Sequence, residues 1–165
     1  MNKALENQSG LRVYTGRIAA YKSLYLIRLL RKNGAHVRAI LTKGGEQFVT
    51  PLSVSALCEG EVFTDLWSLK DETEMGHIRL SRETDVIIVA PASADFLTKL
   101  ASGKADDLAS TTLLAANKPI LFAPAMNHKM WDNSATQDNL NLLKSRGLIQ
   151  IGPDEGDMAC GEYGL

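Results

Sequence analysis

The sequence predicts a doubly wound α/β domain: a mostly parallel sheet with helices on both faces, in three layers. Three observations predict it. Short apolar runs alternate with helix-length amphipathic stretches, without the closely spaced hairpin turns of a meander. The first such unit, residues 11–42, has the length of a right-handed β-α-β crossover. Two later apolar runs, Val86-Ile87-Ile88-Val89-Ala90 and Leu121-Phe122-Ala123, each stop at a proline-alanine turn that carries polar residues. Those turns are Pro91-Ala92-Ser93-Ala94-Asp95 and Pro124-Ala125-Met126-Asn127. Buried parallel strands read as such continuous apolar runs. Ligands of open sheets bind beyond the carboxyl ends of the strands, where loops and helix N-termini aim N–H groups into one crevice. The two turns are therefore expected to be two walls of one site.

Residues 1–10 carry no periodic pattern and are expected to be a disordered leader to a single domain over 11–165. Residues 11–15 read as the first strand, in which Arg12 argues against full burial. Gly16 opens a helix whose apolar positions, Ala20, Leu24, Ile27 and Leu30, follow helical spacing, and Gly34 closes it before a strand at 36–42. Gly44-Gly45 reads as a break, followed by short helices at 46–49 and 51–58, the second with Pro51 in its first turn. Val62-Phe63 fits a short edge strand, and the polar stretch 65–76 a surface loop. A helical turn at 78–83 leads to the strand at 86–90, then come helices at 96–102 and 106–116, with Asp107 near the positive end of the second. A strand at 120–123, an amphipathic helix at 134–146 closed by Gly147, and a short strand at 148–151 complete the sheet. The glycine-rich tail, 152–165, reads as a mobile flap.

Composition narrows the function classes. A chain of 165 residues, 45% hydrophobic and 22% charged, buries a core without staples. A net charge of -1 lacks the clustered basic excess of a nucleic-acid partner. No apolar run approaches the roughly 18 residues of a membrane span, and the polar N-terminus lacks a secretory signal, so the expected compartment is the cytoplasm. Two cysteines, Cys58 and Cys160, make no disulfide framework.

Gly16-Arg17-Ile18, at a strand-to-helix junction, is either a tight turn or a phosphate site; without a Gly-x-Gly-x-x-Gly fingerprint it suits a mononucleotide better than a dinucleotide. Thr42 and Ser93 sit just past two other strands, where each alone reads as a helix cap and both together would converge on one crevice. His77 follows a glycine at the end of the hydrophilic loop, which suits either a surface role or acid–base work. Asn127 is a turn former or a ligand for a carboxylate or amide. Cys58 reads as a small core residue, whereas Cys160, flanked by Gly161, is either incidental or a proton donor on a flap.

Taken together, Gly16-x-Ile18-Ala19-Ala20-Tyr21-Lys22, Phe48-Val49-Thr50-Pro51-Leu52, Met75-Gly76-His77-Ile78, Ala90-Pro91-Ala92-Ser93-Ala94-Asp95, Pro124-Ala125-Met126-Asn127-x-x-Met130-Trp131 and Ala159-Cys160-Gly161-Glu162 resemble the flavin-dependent cysteine decarboxylases. The resemblance runs from about residue 11 to 164. It implies a flavodoxin-like fold that binds FMN and assembles as a homotrimer or higher, up to a dodecamer, with active sites between subunits. It implies the FMN phosphate on Gly16, Arg17 and Ile18 with Thr42 and Ser93, and Phe48, Ala94 and Asp95 against the flavin. His77 would be the acid–base residue; Asn127, with Ala125, Met126 and Gly161, would hold the substrate, and Cys160 would return a proton. The implied substrate is phosphopantothenoylcysteine, decarboxylated in coenzyme A biosynthesis, beside a phosphopantothenate-cysteine ligase domain. Such proteins resemble, too, FMN-binding regulatory homologues without turnover. Arg17 departs from the glycine or serine of that pattern and puts a cation in the phosphate turn.

Overall fold

The computed structural model describes residues 4–16, 19–65, 76–154, 156–157 and 163–164. In chain order the elements are β1 (Ser9–Tyr14), α1 (Ala20–Lys32), β2 (His36–Leu41), α2 (Lys43–Glu46), α3 (Pro51–Cys58), β3 (Val62–Phe63), α4 (Gly76–Arg82) and β4 (Val86–Ala92). They continue with α5 (Ala94–Ser102), α6 (Leu108–Leu114), β5 (Ile120–Pro124), α7 (His128–Asp132), α8 (Ser134–Ser145), β6 (Ile149–Gln150), β7 (Gly156–Asp157) and β8 (Tyr163–Gly164). Six strands form one sheet in the order β3-β2-β1-β4-β5-β6, and every pairing in it is parallel. Without the two-residue edge strand β3, the order is that of a flavodoxin-like sheet, whose direction of winding reverses between β1 and β4.

Alternation along the strands sorts side chains into two cores. Leu11, Val13, Ile87, Val89 and Phe122 face α5, α6 and α8 in the larger core. Tyr14, Val37, Ala39 and Leu41 face α1 and α3 in the smaller one. Helix α1 buries Ala20, Ser23 and Ile27, one stripe at helical spacing. Each fully buried leucine, isoleucine or phenylalanine contributes about 1.5–3 kcal/mol of transfer free energy.

Several expectations change. Part of the expected leader is held in the fold: Leu5 N donates to Asn33 O at 2.9 Å, His36 N donates to Gln8 O at 2.8 Å, and Ser9 and Gly10 already belong to β1. Backbone pairing with the α1–β2 turn orders a stretch that has no side-chain pattern of its own. Gly44-Gly45 does not break the chain but lies within α2, because the Thr42 hydroxyl caps that helix by accepting from Gly45 N at 3.1 Å. The tail contains an antiparallel ribbon, β7 with β8, rather than loop alone.

Arg12 is the largest departure. Its side chain is 0% exposed, although the strand carrying it was expected to remain partly open. β1 lies between β2 and β4, so α1 and α3 cover that face whatever side chain stands there. Nη2 donates to Ala90 O at 3.4 Å, and the guanidinium carbon lies 5.7 Å from the centre of the Tyr14 ring. Nε and Nη1 have no hydrogen-bond partner among the described residues. Burial, the dominant influence, pulls the Arg12 pKa below its ordinary value and pushes the Tyr14 hydroxyl up.

Candidate active site

The loops that follow β1, β2 and β4 enclose a cleft of about 600 Å³ at the carboxyl edge of the sheet. It sits at the point where the strand order reverses, the place where open α/β sheets meet ligands. Two hydroxyls build its floor. Thr15 Oγ1 donates to Pro91 O at 2.6 Å and accepts from Ser93 N at 2.9 Å, which locks the end of β1 to the turn after β4. Thr42 Oγ1 donates to Tyr14 O at 2.8 Å while capping α2, which locks the end of β2 to the same place. Ser93 in turn caps α5, its Oγ accepting from Phe96 N at 3.2 Å. Thr42 and Ser93 are thus helix caps and cleft residues at once.

The turns after β1 and β2 touch backbone to backbone. A Cβ added at Gly16 would stand 3.0 Å from the Cα, carbonyl carbon and oxygen of Gly44, so the two glycines make room for one another. Helix α1 opens at Ala19 with no capping side chain and no acidic residue in its first turn. Its leading N–H groups and its dipole therefore favour an anion at that end of the helix, three residues past the cleft-lining Gly16. A phosphate-bearing mononucleotide fits this donor set and this volume.

The wall opposite is charged. Lys99 Nζ lies 3.2 Å from Asp106 Oδ1 and 3.5 Å from Asp107 Oδ2, and all three residues line the cleft. Lys104 Nζ holds the other Asp106 oxygen at 3.2 Å. Asp107 also caps α6, its Oδ1 accepting from Ser110 N at 2.7 Å. Burial lowers the Lys99 pKa, but the bond to Asp106 and then the charge of Asp107 outweigh it and the net shift is upward. The bond from Lys99 holds the Asp106 carboxyl below its ordinary value.

Of the residues singled out from the sequence, Gly16, Thr42, Ser93 and Asp95 line the cleft, and Ala94 stands half-buried between the last two. Phe48 lies outside the lining, 46% exposed just after α2. His77 is half-buried at the start of α4, outside the lining. Ala125 N donates to Ala92 O at 3.0 Å, tying the turn after β5 to the one after β4. Met126 packs with Trp131 against the larger core. Asn127 caps α7, its Oδ1 accepting from Met130 N at 2.9 Å. Arg17, Ile18, Cys160 and Gly161 lie outside the described residues. Sequence reasoning missed Thr15, Lys43 and the Lys99, Asp106 and Asp107 group, all of which line the cleft. The pair Asp106-Asp107 before an apolar helix carries a cap signal, but its bridge to Lys99 crosses from another helix and leaves no local pattern.

A parallel sheet with a cleft at its switch point has the architecture of a mononucleotide-binding α/β protein. The chain belongs to the Flavoprotein family, whose model matches residues 2–165. It is 51% identical over 150 residues to the coenzyme A biosynthesis bifunctional protein CoaBC of Haemophilus influenzae, covering 91% of this chain and 38% of that protein. Against CoaBC of Escherichia coli (strain K12) it is 46% identical over 150 residues, covering 91% and 37%. The chain therefore spans about two fifths of the length of these relatives. Its fold is similar to that of a PPC decarboxylase variant, a cysteine-to-serine mutant complexed with pantothenoylaminoethenethiol (TM-score 0.82, 33% identity, 95% and 88% of the two chains). It is similar as well to the FMN-dependent cysteine decarboxylase SpaF (TM-score 0.86, 29% identity, 98% and 92%).

Proposed function

We propose that this chain is an FMN-dependent decarboxylase that converts 4'-phosphopantothenoylcysteine to 4'-phosphopantetheine in coenzyme A biosynthesis. One observation carries the proposal: a cleft at the switch point of a chain 51% identical to a CoaBC protein over 150 residues. Bound FMN supplies a two-electron acceptor and donor, which lets the cysteine side chain reach the thioaldehyde level at which its carboxylate departs as carbon dioxide.

The chain's own residues supply the rest. In this reading the turn of Gly16, Arg17 and Ile18 takes the FMN phosphate, supported by the uncapped start of α1, with the cleft-lining Thr42 and Ser93 beside it; Asp95, also in the lining, and Ala94 and Phe48, outside it, flank the flavin. His77 moves the proton of the substrate thiol. Asn127 binds the substrate carboxylate through its amide NH2, because its carbonyl oxygen is committed to the cap of α7. Ala125 and Met126 shape that turn, Gly161 lets the tail close over the substrate, and Cys160 returns a proton to carbon at the end. His77 and Asn127 lie outside the lining of their own chain's cleft, which favours a homotrimer or higher assembly, up to a dodecamer, with each site completed by a neighbour. The natural partner domain is a phosphopantothenate-cysteine ligase, since the CoaBC relatives extend well beyond the matched segment. No helix among the described residues is long and apolar enough to cross a membrane, and the compartment proposed is the cytoplasm.

The test is a purified protein with flavin absorbance that releases carbon dioxide from phosphopantothenoylcysteine. In His77→Asn, FMN stays bound and turnover falls at least 10²-fold, the scale of a lost acid–base residue. Activity near wild type in that variant overturns the assignment. Bound FMN with no carbon dioxide release from the wild type makes the chain a flavin-binding regulatory homologue instead.

A further inference from the structure

We infer that Lys99 is a positioning residue for the flavin: it bridges Asp106 and Asp107 in the cleft wall, offsetting their charge, and so sets both how tightly FMN binds and how readily it is reduced. The inference rests on the proposed FMN site.

Among the described residues four carboxylates line the cleft, those of Asp65, Asp95, Asp106 and Asp107, beside two ammonium groups, Lys43 and Lys99. A cleft for a phosphorylated cofactor that gains negative charge on reduction should not leave such carboxylates uncompensated. Lys99, with Lys104 on the far side of Asp106, balances two of them. It reaches from α5 to the residues that open α6 and touches a carboxylate oxygen of each aspartate, at 3.2 and 3.5 Å. Its side chain is only 20% exposed, so its field is screened less than that of a surface lysine. Asp107 cannot turn away from the cleft, because Ser110 N and Ser110 Oγ hold its Oδ1 at 2.7 and 2.6 Å. Asp106 is held from its far side by Lys104. The acids are thus fixed at the start of α6, and among the described residues Lys99 is the cleft-lining cation in contact with both.

Removing the ammonium while keeping the two carboxylates leaves fixed negative charge beside the cofactor. In Lys99→Gln, FMN binds roughly tenfold more weakly, and the reduced form loses a further tenfold relative to the oxidised form. That second factor lowers the two-electron midpoint potential by about 30 mV. Lys99→Arg retains wild-type affinity and potential, since the charge stays. In the pair Lys99→Gln with Asp106→Asn, most of the affinity and potential returns, because one uncompensated charge is gone.

The measurements are a flavin-fluorescence titration and a dye-coupled reduction titration of wild type and the three variants. A thermal melt of each confirms folding. Recovery of affinity and potential in the double variant supports the inference. If Lys99 only staples α5 to α6, Lys99→Gln lowers the melting temperature, leaves the potential of bound flavin unchanged, and gains nothing from Asp106→Asn; that result overturns it. Failure of the wild-type protein to bind FMN overturns the cofactor site and the inference together, whereas wild-type binding with an unmoved potential in Lys99→Gln overturns the inference alone.

Discussion

Arg12 shows how little a residue's polarity decides when its position in the sheet is central. The guanidinium sits at 0% exposure with Nε and Nη1 unpartnered among the described residues, a long hydrogen bond of 3.4 Å to Ala90 O, and the Tyr14 side chain as its polar neighbour. A buried cation without a counter-charge costs more in lost hydration than one long hydrogen bond and a ring contact return. The carbonyl it touches does not depend on it, because Ser23 Oγ donates to Ala90 O at 2.8 Å. Arg12→Met fills a similar unbranched volume with apolar atoms and is expected to stabilise the fold by about 1–4 kcal/mol. That corresponds to a rise in melting temperature of several degrees for a chain of this size. An unchanged or lower melting temperature would mean that the cation has a partner outside the described residues. Cys58, by contrast, behaves as its apolar surroundings suggest: burial pushes its thiol up to about 11, away from reactivity. The sequence reveals which residues are chemically able, as it did for Ser93 and Thr42. It does not reveal that Thr15 joins β1 to β4, because that bond spans 76 positions.

At the scale of elements, helices and strands were legible wherever a local rule decided them. Apolar periodicity marked α1 and α8, and the hydroxyls of Thr42 and Ser93 announced caps that the structure uses. The misread element is α2, where Gly44-Gly45 carries a local breaker signal that a tertiary contact overrules. A Cβ at Gly45 would lie 2.8 Å from both Leu41 Cδ1 and Tyr14 O, and one at Gly16 would lie 3.0 Å from the Gly44 backbone. The glycines are there so that two turns can meet at the floor of the cleft. Gly16→Ala therefore pushes the turns after β1 and β2 apart by a few tenths of an ångström, at the turn proposed for the FMN phosphate. The expected outcome is a loss of FMN affinity of about tenfold, near 1.4 kcal/mol, with a change in melting temperature smaller than that of a core substitution. Flavin-fluorescence titration beside a thermal melt checks it, and wild-type affinity would remove the phosphate from this turn.

For the molecule as a whole, the two faces of the sheet are covered unequally. One face lies under α5, α6 and α8; the other has α1 and α3, which cover the half built by β1 and β2. Cross-strand register traces a row along that second face, Ala39, Arg12, Ile88, Leu121 and Ile149. Ala39 and Arg12 are fully buried, Ile88 and Leu121 half-buried, and Ile149 is 51% exposed, so the covering thins as the row leaves α1. Parallel sheets are ordinarily buried on both faces, and an apolar row left open on one of them calls for a partner surface. Tyr21, Tyr25 and Leu29, spaced four apart on α1 and all exposed, add apolar area to the same protomer. A second copy of the chain is the occupant that the proposed shared site requires, since His77 and Asn127 lie outside their own cleft's lining. Leu121→Arg places a charge in the middle of the open row without disturbing Phe122, which points into the opposite core. Light scattering after size exclusion is expected to show a trimer or larger species for the wild type and a monomer for Leu121→Arg. Because the proposed acid–base and carboxylate-binding side chains, His77 and Asn127, are then withdrawn from every cleft, decarboxylation is expected to fall at least 10²-fold while the variant still melts cooperatively. A monomeric Leu121→Arg protein that turns over normally would place the whole site within one chain.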